Sequence, residues 1–178
     1  MTLFRDVVEL LETERIPHAL IGAAAMAVHG VSRATADVDL LTVDARALAS
    51  ETWAALKARG VEVLVLRGDP DDPLAGNVRL EVSGERAIDV VVGRHAWQRE
   101  VIELAETFSI GEVAVKVARP EGLVLLKLYA GGPRDAWDVR SLLESRADTG
   151  EIAAEVERVL PRLPQECGGL WSRIREGL

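Results

Sequence analysis

His18-Ala19-Leu20-Ile21-Gly22-Ala23-Ala24-Ala25-Met26-Ala27-Val28-His29-Gly30, followed by Val31 to Ala36 and then Asp37-Val38-Asp39-Leu40-Leu41-Thr42, is the stretch that decides how this chain folds. A short apolar run meets Gly22, an Ala-rich helix former follows, and Gly30 stops it, so the order predicted is strand, tight turn, helix. The next piece alternates acid and hydrophobe with the two-residue period of a strand, which puts Asp37 and Asp39 on one face and Val38 and Leu40 on the other. Two carboxylates held together repel unless a cation lies between them, and this pair therefore invites a divalent metal. The turn at Gly22 offers the complementary feature. The first N–H groups of a helix lack internal partners, and they suit an anion such as a phosphate.

A Gly turn entering a helix, with Asp-x-Asp on a strand some fifteen residues later, resembles the signature of the nucleotidyltransferase superfamily related to DNA polymerase β. The family pattern is Gly-Gly-Ser/Thr, a helix, then Asp/Glu-x-Asp/Glu. The corresponding residues are Gly22-Ala23-Ala24 and Asp37-x-Asp39, and Arg33-Ala34-Thr35-Ala36 looks like the Arg-x-Thr/Ser-x segment that precedes Asp-x-Asp in small bacterial members. Some of those members are abortive-infection and toxin–antitoxin proteins. The departure lies at Ala23 and Ala24, where the family has a Gly and a hydroxyl residue that helps hold the nucleotide phosphates.

Composition bounds the possibilities around that site. With 178 residues, 48% hydrophobic and 28% charged, the chain can bury a substantial core as one unit. The single Cys167 excludes an intrachain disulfide, and no Cys/His metal cluster occurs. Met1 to Asp6 lack the order of a signal peptide and no apolar run reaches membrane-spanning length, so the expected location is cytoplasmic, with no membrane partner. A net charge of −8 argues against binding long duplex nucleic acid, which relies on many basic contacts. Residues 113–147, however, hold six basic and four acidic side chains, a local balance that suits a nucleotide or an RNA end.

Outward from the central stretch, Thr2 is placed to cap a first helix with Leu3, Val7, Leu10 and Leu11 on one stripe. Asp44 is placed to cap a helix through Arg59, stopped by Gly60. Val61 to Leu66 is strand-like. Arg67 to Gly76, with two Pro, two Gly and three Asp, reads as a solvated loop without chemistry. Val78 to Val82 and Ala87 to Val92 form a hairpin about Ser83-Gly84-Glu85. Asp89 is the only acid in its otherwise apolar strand, where an ionised carboxylate is costly unless it is paired or binds metal. It looks like the superfamily's third carboxylate, with pairing to an Arg such as Arg79 or Arg33, or a place at an exposed strand end, as the alternatives. A helix over 96–106, a hairpin over 108–117 and a helix from Pro120 to Tyr129 come next, and two amphipathic helices over 148–160 and 169–176 end the chain.

The fold expected is α+β: a mixed, largely antiparallel sheet with flanking helices over 1–118, and a C-terminal helical segment over 119–178 packed on it as one compact unit. The resemblance implies a metal-dependent enzyme that transfers a nucleoside monophosphate from an NTP to a hydroxyl, with Mg²⁺ or Mn²⁺ held by Asp37, Asp39 and Asp89 as metal ligands and catalytic residues. It also implies that Gly22, Ala23, Ala24 and Arg33 contact the nucleotide phosphates. The segment Leu126 to Asp138 is similar to an element that follows the catalytic part in small members, and there Lys127 would face the triphosphate or balance the acids, or would snorkel at the sheet's edge. His29 suits packing or capping better than catalysis. The acceptor is left open among an RNA end, a protein and a small molecule, and the toxin-like branch would add an antitoxin-type protein partner. An alternative is a relative that lost turnover at Ala23-Ala24 and serves as a nucleotide-binding or protein-interaction module. A nucleotide-sugar glycosyltransferase would leave Asp89 without a task.

Overall fold

The computed structural model describes residues 2–32 and 34–177. Helix α1, Leu3–Thr13, starts where the Thr2 hydroxyl accepts the Arg5 N–H, and it buries Leu3, Val7, Val8 and Leu11. After a turn at Arg15, strand β1, His18–Ile21, runs through the core with all four residues buried. Helix α2 spans Gly22–Val28 and strand β2 spans Asp37–Thr42. The Ala-rich segment therefore forms only two turns of helix, and Gly30, at φ 93°, reverses the chain after it.

The helix expected over 44–59 is broken into 3₁₀ turns at Ala45–Leu48 and Ser50–Trp53, then a short α3, Ala54–Ala58. Asp44 does cap, its carboxylate accepting the Arg46 N–H at 2.9 Å. The break lies at Ala49, whose backbone is extended. That register drives Ala47, Leu48 and Trp53 into the core, and the Trp53 indole donates to the Ala47 carbonyl at 2.7 Å. Burial of a large aromatic with its polar edge satisfied outweighs the helix propensity of an Ala-rich segment.

Strands β3, Glu62–Arg67, β4, Gly76–Glu81, and β5, Ala87–Val92, follow as a meander. Helix α4, Ala96–Glu103, leads to the hairpin of β6, Glu106–Ile110, and β7, Val113–Val117. The C-terminal helices are α5, Pro120–Ala130, α6, Pro133–Glu144, α7, Thr149–Val159, and α8, Gln165–Glu176. Proline at the first turn of α5 and of α6 fits positions whose N–H has no helical partner.

The seven strands form one mixed sheet in the order β3-β4-β5-β2-β1-β7-β6. The β2–β5 and β1–β7 pairs are parallel and the other four are antiparallel. Strand alternation sends Leu40, Val78, Leu80, Ile88 and Val90 to one face, where all are buried. The other face of β2, β5, β4 and β3 carries Asp37 and Asp39, then Asp89, then Asn77 and Arg79, then Leu64 and Leu66.

Candidate active site

The site is built where β1 turns into α2 beside β2. Gly22 takes φ 64°, a left-handed backbone that an L side chain adopts only under strain. A β-carbon at Gly22 would collide with the Asp39 carboxylate, so the acid lies against the glycine backbone. The antiparallel β1–β2 register, with Ile21 opposite Asp39, produces this closeness. Ala23 and Ala24 lie inside α2, and Ala23 is buried. Among the described residues Arg15 is the one non-glycine with positive φ, so the Ala23 methyl sits on an unstrained backbone.

In the parallel β2–β5 pair Asp37 is opposite Ala87, and Asp39 is opposite Asp89. All three carboxylates therefore belong to one face of the sheet. Their surroundings differ. The Thr35 hydroxyl donates to Asp37 Oδ1 at 2.7 Å, closing the segment before β2 onto the acid. Asp89 is buried, and each of its oxygens has a donor: Asn77 Nδ2 at 2.9 Å from Oδ1 and Arg79 Nη1 at 2.7 Å from Oδ2. The alternative weighed for this acid, pairing with Arg79, is thus present. Arg79 Nε also donates to Glu81 at 2.6 Å, and this hydrogen bond, with the charge of Asp89, raises the guanidinium's pKa. Asn77 is the neighbour that the sequence reading missed. Its signal was there, because Asn77-Val78-Arg79-Leu80-Glu81 alternates polar and apolar and so aims three polar side chains at one face.

The carboxylate oxygens of Asp37 and Asp39 have the hard donor chemistry that suits Mg²⁺ or Mn²⁺. Among the described residues no three His, Cys, Asp or Glu side chains converge closely enough to enclose an ion. The pair of aspartates on β2 fits such a cation in chemistry; Asp89, as held by Arg79 and Asn77, stands on the same face outside that pair. Arg33 falls outside the described residues.

Lys127, on α5, meets α6 instead of standing alone. Its Nζ lies 2.8 Å from Asp135 and 2.7 Å from Asp138, the latter only 1% exposed. Burial by itself would lower the ammonium's pKa, but the hydrogen bonds to the two aspartates outweigh it and hold the group above the ordinary lysine range. Asp135 also accepts the Gly132 N–H at 3.0 Å, so one cluster fixes the α5–α6 junction. Beside it, Ala34, Arg134, Trp137 and Asp138 line a cleft, and the Trp137 side chain is 56% exposed. His29, by contrast, packs: its Nε2 is 2.9 Å from the Ala118 carbonyl oxygen and its ring meets Phe108 edge-on.

No protein-family model and no curated protein matches the sequence. Solved structures do match in three dimensions. The antibiotic-resistance factor ANT(2″)-Ia in solution is 16% identical over 90% of each chain, with a TM-score of 0.56. The same factor in complex with adenylyl-2″-tobramycin is 18% identical over 96% of each chain, with a TM-score of 0.54. A Thermotoga maritima protein described as a candidate nucleotidyltransferase is 14% identical over 81% of this chain and 92% of that one, with a TM-score of 0.53. Lincomycin-bound LnuA, a lincosamide antibiotic adenylyltransferase, is 12% identical over 79% of this chain and 94% of that one, with a TM-score of 0.51. At such identities the likeness defines the architecture: the chain has the nucleotidyltransferase fold, an α+β unit around a mixed sheet.

Proposed function

We propose that this chain is a nucleotidyltransferase, moving a nucleoside monophosphate from an NTP to a hydroxyl group. The observation that carries the reading is the contact of Gly22 with Asp39, which sets a glycine turn against a strand acid within a fold shared with adenylyltransferases. Asp37 and Asp39 would hold a divalent cation, Mg²⁺ or Mn²⁺, which when bound neutralises triphosphate charge and polarises the phosphoryl group. The backbone N–H groups of the turn from Gly22, which packs against Asp39, to Ala24 would serve the phosphates, and the Arg33 charge would add to them. The acceptor oxygen attacks the α-phosphorus, the bond from that phosphorus to the bridging oxygen breaks, pyrophosphate departs to solvent with that oxygen, and the hydroxyl proton passes to water. Asp89 faces the same side of the sheet. For it to act as a third ligand Arg79 must turn away, and Glu81, already bonded to Arg79 Nε, is in place to keep the guanidinium.

Trp137 extends the reading to the nucleobase. Its exposed indole sits beside Asp138 and Ala34, and Ala34 adjoins Thr35, which grips Asp37. Stacking of a base on an aromatic ring contributes about 1–3 kcal/mol. As for the acceptor, ANT(2″)-Ia carries adenylyl-tobramycin and LnuA carries lincomycin in their structures, so antibiotic-like alcohols join RNA ends and protein hydroxyls as acceptors to test.

The experiment is to incubate the chain with each labelled NTP, Mg²⁺ or Mn²⁺, and in turn tobramycin, lincomycin, total RNA and cell lysate. Label transferred by the parent chain and not by Asp39→Asn supports the reading. The occupied oxygens of Asp89 and the absence of a hydroxyl at Ala24 favour a second reading, a nucleotide-binding module without turnover. Ala23→Gly with Ala24→Ser separates the two. A parent that transfers nothing, beside a double variant that gains NTP binding, rejects the enzyme.

A further inference from the structure

Arg79, Asp89 and Asp39 occupy one row across β4, β5 and β2, since Asp89 is opposite Arg79 in one strand pair and opposite Asp39 in the other. Neighbouring strands lie about 4.8 Å apart, so the Arg79 side chain is long enough to lay its guanidinium back over β5. Nη1 reaches Asp89 Oδ2 at 2.7 Å, and Nε is 2.6 Å from Glu81 Oε1. Asn77 Nδ2 takes the other Asp89 oxygen at 2.9 Å. Asn77, Arg79 and Glu81 alternate along β4, and one strand therefore fixes both the acid and the cation that covers it.

Such a carboxylate is poorly prepared to be a metal ligand. Asp89 is buried, its two oxygens are engaged, and stripping Arg79 from it would leave a desolvated carboxylate without its counter-charge. The guanidinium is equally well held. The Glu81 hydrogen bond, with the charges of Asp89, Glu81 and Asp37, raises its pKa, so a full positive charge stands on the face that carries the β2 acids. In the nucleotidyltransferase reading, on which this rests, we propose that Arg79 replaces the second metal ion of a two-metal site: Asp37 and Asp39 hold one divalent cation with the NTP, and the guanidinium on Asp89 supplies the other positive charge to the α-phosphate.

The chemistry of the group fits that task. In a two-metal site the cations stand about 3.5–4 Å apart and stabilise the attacking and leaving oxygens. A guanidinium has about five N–H donors in a rigid fork and keeps its charge at any working pH. One donor goes to Asp89 and one to Glu81, which leaves the others for the non-bridging α-phosphate oxygens as charge gathers on them. Arginine does not, however, bind the acceptor oxygen and lower its pKa as a metal does. The acceptor therefore attacks as a hydroxyl: its oxygen bonds to the α-phosphorus, the bond to the bridging oxygen breaks, pyrophosphate departs, and the proton passes to water.

Counting Mn²⁺ tests this without reference to turnover. The full chain, with an equal amount of a non-hydrolysable analogue of each NTP, is titrated with Mn²⁺ while electron paramagnetic resonance reads the free ion and any coupling between bound ones. The parent is expected to bind one uncoupled Mn²⁺, and so is Asp89→Asn, because Asp89 holds arginine and not metal. Arg79→Ala uncovers Asp89 and is expected to bind two Mn²⁺ with a coupled signal; adding Asp89→Asn to it should return the count to one. The Arg79 side chain is 36% exposed, so its removal leaves the core intact. Two coupled Mn²⁺ in the parent, one in Arg79→Ala, or none in Asp89→Asn overturns the proposal while leaving the nucleotidyltransferase reading in place. A parent that binds no Mn²⁺ with any analogue rejects that reading, and the proposal with it.

Discussion

Gly22 and Asp39 are in contact across the β1–β2 pair, with the carboxylate occupying the space that a side chain at position 22 would need. Gly22→Ala therefore meets two penalties, a left-handed φ of 64° and a collision with a charged group. The first alone costs about 1–2 kcal/mol. Urea unfolding should show at least that loss, and nucleotide-dependent stabilisation should vanish with it, because the turn and the acid move together. A Gly22→Ala chain with the parent's unfolding curve would mean that the close approach is absent.

The metal and nucleotide reading makes a separate prediction. A ligand that binds only the folded chain raises its melting temperature by mass action, by about 2.7 kcal/mol at a hundredfold excess over Kd. The parent chain should gain stability with Mg²⁺ or Mn²⁺ together with an NTP. Asp39→Asn and Asp37→Asn should lose that gain while melting alone within a few degrees of the parent, since both acids lie on a half-exposed part of β2. Differential scanning fluorimetry across the four NTPs decides it. An unchanged curve for the parent in every mixture would oppose any nucleotide site.

Much of this was legible in the chain because period and punctuation act locally. Gly22, the Asp37-Val38-Asp39 alternation and the apolar run around Asp89 each announce an element and a face. What they do not announce is strand order. The β2–β5 pairing, which sets Asp39 opposite Asp89, joins segments fifty residues apart, and only the assembled sheet fixes it. The missed helix break at Ala49 has the same origin, since the burial of Trp53 is a tertiary term that overrides local propensity. Arg79 and Asn77 show the limit most clearly: both were visible as polar positions, but their attachment to Asp89 depends on β4 lying next to β5.

His18 predicts a response to acid. The ring is buried, and its Nδ1–H donates to the Ile16 carbonyl at 2.9 Å in the neutral form. Burial pushes its pKa down, against a smaller opposing effect of that carbonyl. The unfolded chain thus takes up a proton in the ordinary imidazole range while the folded chain resists it. The stability that His18 protects is intact above that range, falls as the pH drops through it, and stops falling once the folded ring is protonated too. The slope from one such group is at most about 1.4 kcal/mol per pH unit. Urea midpoints measured from neutral to mildly acidic pH should show it, and His18→Phe should remove this component. Equal slopes in the two chains would contradict the assignment.

Lys127 gives the last test, because its partners make opposite demands in stability and in binding. The ammonium lies between Asp135 and Asp138, and Asp138 is almost wholly enclosed. Removing the cation leaves two carboxylates facing each other with one of them desolvated. Losing one member of a buried pair costs about 3–5 kcal/mol, and the partial exposure of Asp135 puts Lys127→Met near the lower end of that range. The pH dependence has a definite sign. Since the folded pKa is raised, the stabilisation is fully present below the ordinary lysine range and is lost as the pH climbs through the folded value. Lys127→Met should therefore be less stable than the parent at neutral pH and should lose less on going to alkaline pH. Adding Asp138→Asn to Lys127→Met should recover part of the loss, which a double-mutant cycle reads as coupling. Nucleotide titration of the same chains, at a temperature where each is folded, then separates the roles. Affinity equal to the parent's assigns Lys127 to the α5–α6 junction alone, whereas a fall of tenfold or more, about 1.4 kcal/mol, assigns it to the phosphates as well.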